Sequence, residues 1–127
     1  MKVLYLGSSS DNLLEENIFP KNRATLVESV ESLEAGLEKL EEKSYDLIMS
    51  EHVPPKIDAT SLLEALRNRE ERDFSLIVLD GDSGLDEEKV LDLGADLFYK
   101  KDLVSSKELA SGISRLFDLD EEREQEH

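Results

Sequence analysis

Four short stretches of this chain hold the residue types that could do chemistry. Gly7-Ser8-Ser9-Ser10-Asp11 is a small, hydroxyl-rich turn. Its backbone amides either cradle a phosphate at a helix start or simply serve as a cap, with Ser10 or Asp11 as the capping residue. Glu51 stands between Ser50 and His52. Asp80 opens the turn Asp80-Gly81-Asp82-Ser83-Gly84, and Lys100-Lys101 supplies cations ahead of Asp102. Carboxylates beside an ammonium make an ion cluster, whereas carboxylates alone make a seat for a hard cation. The Asp80 turn has the flavour of a calcium loop, but its twelfth residue is Leu91, where such a loop needs a bidentate glutamate. Histidine occurs only as His52 and His127, with no partner at metal-ligand or catalytic spacing, so His52 reads as a loop histidine. No glycine-rich phosphate loop of the dinucleotide or Walker type is present.

These stretches share a place in the pattern, because each follows a short apolar run. Val3-Leu4-Tyr5-Leu6 reads as a buried strand, and Ala24-Thr25-Leu26-Val27 as a second. Tyr45-Asp46-Leu47-Ile48-Met49 is the third, Phe74 to Leu79 the fourth and Leu97-Phe98-Tyr99 the fifth. Helical segments alternate with them. The first runs from Ser10 or Asp11 to Phe19, before Pro20. The next, Ser32 to Lys43, carries Leu33, Leu37 and Leu40 on one face. Further helices are expected over Ala59 to Arg69, from Asp86 to Leu93 with Gly94 as its stop, and from Ser105 or Ser106 to Phe117. Strands alternating with helices predict a parallel sheet with helices on both faces, an α/β fold. Runs that are apolar nearly throughout fit strands covered on both sides. In such sheets a reactive or ligand site lies at the carboxyl ends of the strands, where all four stretches fall.

Composition narrows the classes. The chain has 127 residues, enough for one domain, and 39% of them are hydrophobic, enough for a packed core. A formal net charge of -16 disfavours nucleic acid and anionic membrane surfaces as partners, since phosphates would meet a repulsive field. No apolar run approaches the ~20 residues of a membrane span, and the N-terminal apolar run is too short for a signal peptide. The absence of cysteine excludes disulfides and thiolate chemistry. The expectation is a cytoplasmic domain over residues 1–117, followed by a charged tail or linker over 118–127.

Two segments carry a family resemblance. Tyr45 through Ala59 resembles the third strand, phosphoacceptor and following loop of response-regulator receiver domains, the signalling modules of two-component systems. Leu91-Asp92-Leu93-Gly94-Ala95-Asp96, with Leu97-Phe98-Tyr99-Lys100-Lys101 after it, is similar to that family's Leu-Gly-Ala-Asp segment and the lysine beyond its fifth strand. The spacing of elements agrees over nearly the whole chain. The resemblance implies a flavodoxin-like sheet of strand order 2-1-3-4-5.

Set against that pattern, the chemistry positions are altered. The two acidic positions after the first strand fall on Gly7 and Ser8, which cannot replace two carboxylates around Mg²⁺, so magnesium binding is expected to be lost or weak. Glu51 falls on the phosphoacceptor aspartate, and its extra methylene misplaces the carboxylate for phosphoryl transfer. It either stands permanently where a phosphoryl group would sit or is a partly solvated loop carboxylate. Asp80 falls on the switch hydroxyl residue and, when ionised, can only accept hydrogen bonds. Lys101 falls on the family lysine, with Lys100 as the alternative inward residue, and Glu51, Asp80 and Lys101 are expected to form a fixed ion cluster. Phe98 falls on the aromatic that rotates in responsive members, although a strand aromatic can equally be core packing. Asp102 stands where the family has a proline.

The function this implies is signal transduction without enzymatic activity: a pseudo-receiver that binds a protein partner independently of aspartyl phosphorylation. The resemblance places docking, and a possible homodimer, on the face of the fourth helix, fifth strand and fifth helix. Surface candidates there are Lys89, Tyr99, Lys107 and Glu108. A kinase, sensor or output domain is the implied kind of partner. The alternative is an active phosphoacceptor of a phosphorelay, with Glu51 or a neighbour taking the phosphoryl group and Asp11 and Asp80 holding the metal.

Overall fold

The structure, a computed structural model, describes residues 2–7, 25–67, 74–81, 84–101 and 103–125, the stretch 118–125 by its backbone alone. The helix expected before Pro20, the cap at Ser10 or Asp11, and residues Ser8, Asp82, Ser83 and Asp102 lie outside the described residues. Five strands, β1 (Lys2–Leu6), β2 (Leu26–Val30), β3 (Leu47–His52), β4 (Ser75–Asp80) and β5 (Leu97–Lys100), form one sheet in the order β2-β1-β3-β4-β5. Every pairing is parallel, so the expected α/β architecture and strand order are present. The described helices are α1 (Leu33–Glu42), α2 (Ala59–Arg67), α3 (Glu87–Asp92) and α4 (Ser106–Gln125).

Strand pleat sorts the core into two layers, because successive side chains point to opposite faces. Leu4, Leu6, Ile48, Leu76 and Val78 face one side and meet Leu40 of α1, Leu62, Leu63 and Leu66 of α2, and Val90 of α3. Val3, Tyr5, Leu47, Met49, Ile77 and Leu79 face the other and meet Leu109 and Ile113 of α4. Each fully buried leucine or isoleucine contributes about 1.5–3 kcal/mol relative to exposure. Local signals fix the helix starts. Ser32 accepts from Ala35 N–H ahead of α1, and Asp86 accepts from Glu88 N–H ahead of α3.

Boundaries shift in several elements, and three of the shifts have a clear physical reason. The second strand, expected over Ala24–Val27, runs over Leu26–Val30 among the described residues, with Ala24 outside them. It is an edge strand, paired on one side only among the described residues, so it tolerates polar Glu28 and Ser29 within it. The third strand extends past Met49 through Ser50, Glu51 and His52, because β4 pairs with it as far as His52 opposite Asp80. The last helix continues past Phe117 to Gln125. Glu, Arg and Gln are good helix formers, so the charged composition after Phe117 does not end the helix.

The exposed edge is tied down by one charged cluster. Glu28 of β2 accepts from Lys43 Nζ at 2.9 Å and from the Tyr45 hydroxyl at 3.2 Å, with Lys39 Nζ at 3.5 Å. The bond from Lys43 is the main reason the Glu28 carboxyl is held below its ordinary value. Burial, then the bond to Glu28, pushes the Tyr45 phenol up to about 12.

Candidate functional site

The carboxyl ends of β1, β3, β4 and β5 converge on Glu51. It is the fifth residue of β3, in register with Leu79 of β4, and 2% exposed. A carboxylate this deep must be paired and hydrogen-bonded to be tolerated. Lys101 Nζ lies 3.0 Å from Oε1, and the Tyr5 hydroxyl donates to Oε2 at 2.5 Å. Glu51 is therefore no solvated loop carboxylate but a buried strand residue with a partner on each oxygen.

Tyr5 went unrecognised as a site residue within an apolar run. Register explains its part. Tyr5 pairs with Met49, so it shares a sheet face with Met49 and Glu51, and its ring spans the gap to the strand end. The one available sequence signal was chemical: a tyrosine in an otherwise aliphatic buried strand needs a partner for its hydroxyl.

Gly7 follows β1 directly, with its N–H bonded to Val30 C=O at 2.9 Å. A Cβ there would overlap Glu51 Cδ and Oε2 and stand 2.8 Å from Cγ. The missing side chain at Gly7 and the longer side chain at Glu51 thus fit one space. Lys101 is placed by the sheet as well: its N–H donates to Asp80 C=O at 2.8 Å, just beyond the β4–β5 ladder. Of the two neighbouring lysines, Lys101 carries the ammonium to Glu51, while Lys100 is exposed.

Asp80 ends β4 in register with His52, one residue beyond Glu51, and its Oδ2 accepts from Leu85 N–H at 3.1 Å. That bond braces the turn leading to α3. His52 is not a loop histidine. It is the buried last residue of β3, and its Nδ1 accepts from Ala59 N–H at 3.0 Å. Neither pairing was legible locally, since each depends on how the following turn folds back. Phe98, in register with Val78, packs against the α1–α3 side of the core, whereas Tyr99 packs on the α4 side.

Around Glu51 the donor set suits an ammonium and a phenol rather than Mg²⁺. The carboxylate is taken up by Lys101 and Tyr5, and Gly7 offers no oxygen ligand from a side chain. Among the described residues, no group of three or more His, Asp or Glu is arranged to hold a metal ion.

A second feature lies on the α3–β5–α4 face. A cavity of about 460 Å³ is lined by Leu85, Phe98, Tyr99, Lys100, Leu103 and Val104 among others. A neighbouring one of about 380 Å³ lies between Tyr99 and α4, lined by Lys107, Ser111, Gly112 and Arg115. Tyr99 borders both, and its hydroxyl occupies the space a Cβ on Gly112 would take. Lys107 and Glu108 are exposed beside these cavities, Lys89 is exposed on α3, and Leu103 is 76% exposed.

A five-stranded parallel sheet of this order, with its buried polar cluster at the carboxyl strand ends, defines the flavodoxin-like receiver fold. Solved structures agree. A CheY-like response regulator receiver domain protein from Methanospirillum hungatei superposes with a TM-score of 0.77 at 22% identity, over 96% of this chain and 97% of that one. An orphan response regulator of H. pylori is similar with a TM-score of 0.70 at 24% identity, over 91% and 94%. An atypical orphan response regulator with a phosphorylation-independent regulatory mechanism gives 0.68 at 22% identity, over 91% and 93%. No protein-family model matches the chain, and no curated protein matches it. Among the described residues no helix is long and apolar enough to cross a membrane.

Proposed function

We propose that this chain is a cytoplasmic pseudo-receiver: a signalling module whose phosphoacceptor pocket is filled by its own Glu51 side chain and held in one state. The observation that carries this reading is the buried Glu51 carboxylate, with Lys101 on one oxygen, Tyr5 on the other and Gly7 giving room. The fixed anion takes the place of an acquired phosphoryl group, so the module acts by binding rather than by phosphotransfer. Its docking face is α3–β5–α4, where two cavities flank Tyr99 beside exposed Leu103. The partner is a protein, either a kinase, sensor or output domain or a second copy of this chain.

The test is amide NMR of the purified chain titrated with Mg²⁺ and then with beryllofluoride, which imitates an aspartyl phosphate only in a working pocket. The expected spectrum is unchanged at millimolar Mg²⁺. Saturable shifts at Tyr5, Glu51 and Lys101 would overturn the proposal and make the pocket an active acceptor.

A further inference from the structure

We propose that His52 is a proton-operated cap on α2, which gives the turn between β3 and α2 two arrangements selected by pH. Ala59 is the first residue of α2, so its N–H is one of the helix's orphan donors. It donates to His52 Nδ1 at 3.0 Å. A ring accepting at Nδ1 is neutral and carries its proton on Nε2. Asp58 holds the same turn of helix: its Oδ1 accepts from Thr60 N–H at 3.0 Å and from Ser61 N–H at 3.4 Å. That same oxygen lies 3.9 Å from His52 Nδ1.

Protonation turns Nδ1 from acceptor to donor. The new N–H then opposes the Ala59 N–H, which loses its partner. Asp58 Oδ1 is the carboxylate oxygen within reach, and an imidazolium draws it away from Thr60 and Ser61. One proton therefore exchanges two helix caps for one ion pair.

The charged group measured at the ring is Asp58; Lys56 in the same turn is exposed, and Asp80 is the register partner of His52 on β4. The first turn of α2 contributes no acidic residue, and α1 is joined to the turn by Leu33 N–H donating to Lys56 C=O at 3.3 Å. Glu51, next in the chain, is already engaged by Tyr5 and Lys101. Val53 and Ile57 exchange two backbone bonds of 2.8 and 3.0 Å, so the base of the turn stays closed and the change is confined to residues 58–61. The device is independent of how Glu51 is read.

The experiment is amide and imidazole NMR with hydrogen exchange on the full chain from pH 7.5 to 5. The expected result is that the Ala59, Thr60 and Ser61 amides shift along the His52 ring titration and that their exchange, corrected for intrinsic rate, rises roughly fivefold or more. His52→Asn, which keeps an acceptor but cannot take a proton there, gives a flat profile at these amides. Asp58→Asn uncouples Thr60 and Ser61 from the ring. Unmoved amides while His52 titrates, a ring that stays neutral to pH 5, or the same response in His52→Asn each overturn the proposal.

Discussion

The Cβ that Gly7 lacks would stand 2.8 Å from Glu51 Cγ and overlap its Cδ and Oε2, although the two residues are far apart in sequence. Glycine at the end of β1 and glutamate in β3 are therefore one substitution in two places. The glycine leaves the room that the glutamate fills. Gly7→Ala should lower stability by about 1–3 kcal/mol, the range for an overpacked core. In a Glu51→Ala background the same change should cost less, keeping only the part due to the backbone at Gly7, whose φ of 156° a side chain strains. Urea denaturation of the four chains in a double-mutant cycle measures the coupling. Equal costs in both backgrounds would show that Gly7 does not make room for Glu51.

Removing either partner of Glu51 leaves a buried carboxylate short of a bond. Tyr5→Phe deletes a bond to a charged acceptor and should cost about 1.5–3 kcal/mol. Lys101→Met should cost less than the 3–5 kcal/mol typical of a broken buried pair, because the Lys101 side chain is 22% exposed and water weakens its pairing. Thermal or urea unfolding ranks the variants.

The Glu28 cluster predicts opposite pH arms. The Tyr45 phenol is raised in the folded chain from 10.0 to about 12, chiefly by burial and then by Glu28. Its contribution is full below pH ~10 and is lost as pH climbs through about 12. The stability difference between the parent and Tyr45→Phe should therefore shrink across that window, with tyrosinate absorbance locating the titration. Glu28 is lowered, first by the bond from Lys43, so its contribution is present above its ordinary value and fades as pH falls below it. Glu28→Gln should flatten the acid arm of the stability profile.

On the α3–β5–α4 face, a methyl at Gly112 would collide with the Tyr99 hydroxyl oxygen and lie 3.0 Å from Leu97 Cδ1. The oxygen is the far end of a half-buried side chain, so the ring should swing rather than the helix move. Gly112→Ala is expected to shift the Tyr99 ring signals in NMR at a cost under about 1.5 kcal/mol. In a Tyr99→Phe background, where that oxygen is absent, the shift should largely disappear.

Much of the architecture is legible in the sequence. Val3 to Leu6 and Phe74 to Leu79 declare buried strands, Leu33, Leu37 and Leu40 declare a helix face, and their alternation leads to a parallel sheet with polar residues at its carboxyl ends. At β2 the apolar pattern is weaker than elsewhere, because one-sided pairing lets polar residues into the strand.

The arrangement at the strand ends was decided only by tertiary structure. Composition and spacing put Glu51, Asp80 and Lys101 in one neighbourhood. The pleat and register join Glu51 to Lys101 and Tyr5, bring Asp80 Oδ2 within reach of Leu85 N–H, and set His52 under α2. Tyr5 and Glu51 are 46 residues apart, and nothing local to either encodes the other. Periodicity specifies which face a residue takes within its own element. Which polar group it meets depends on how separate strands are aligned, and packing the whole core sets that alignment.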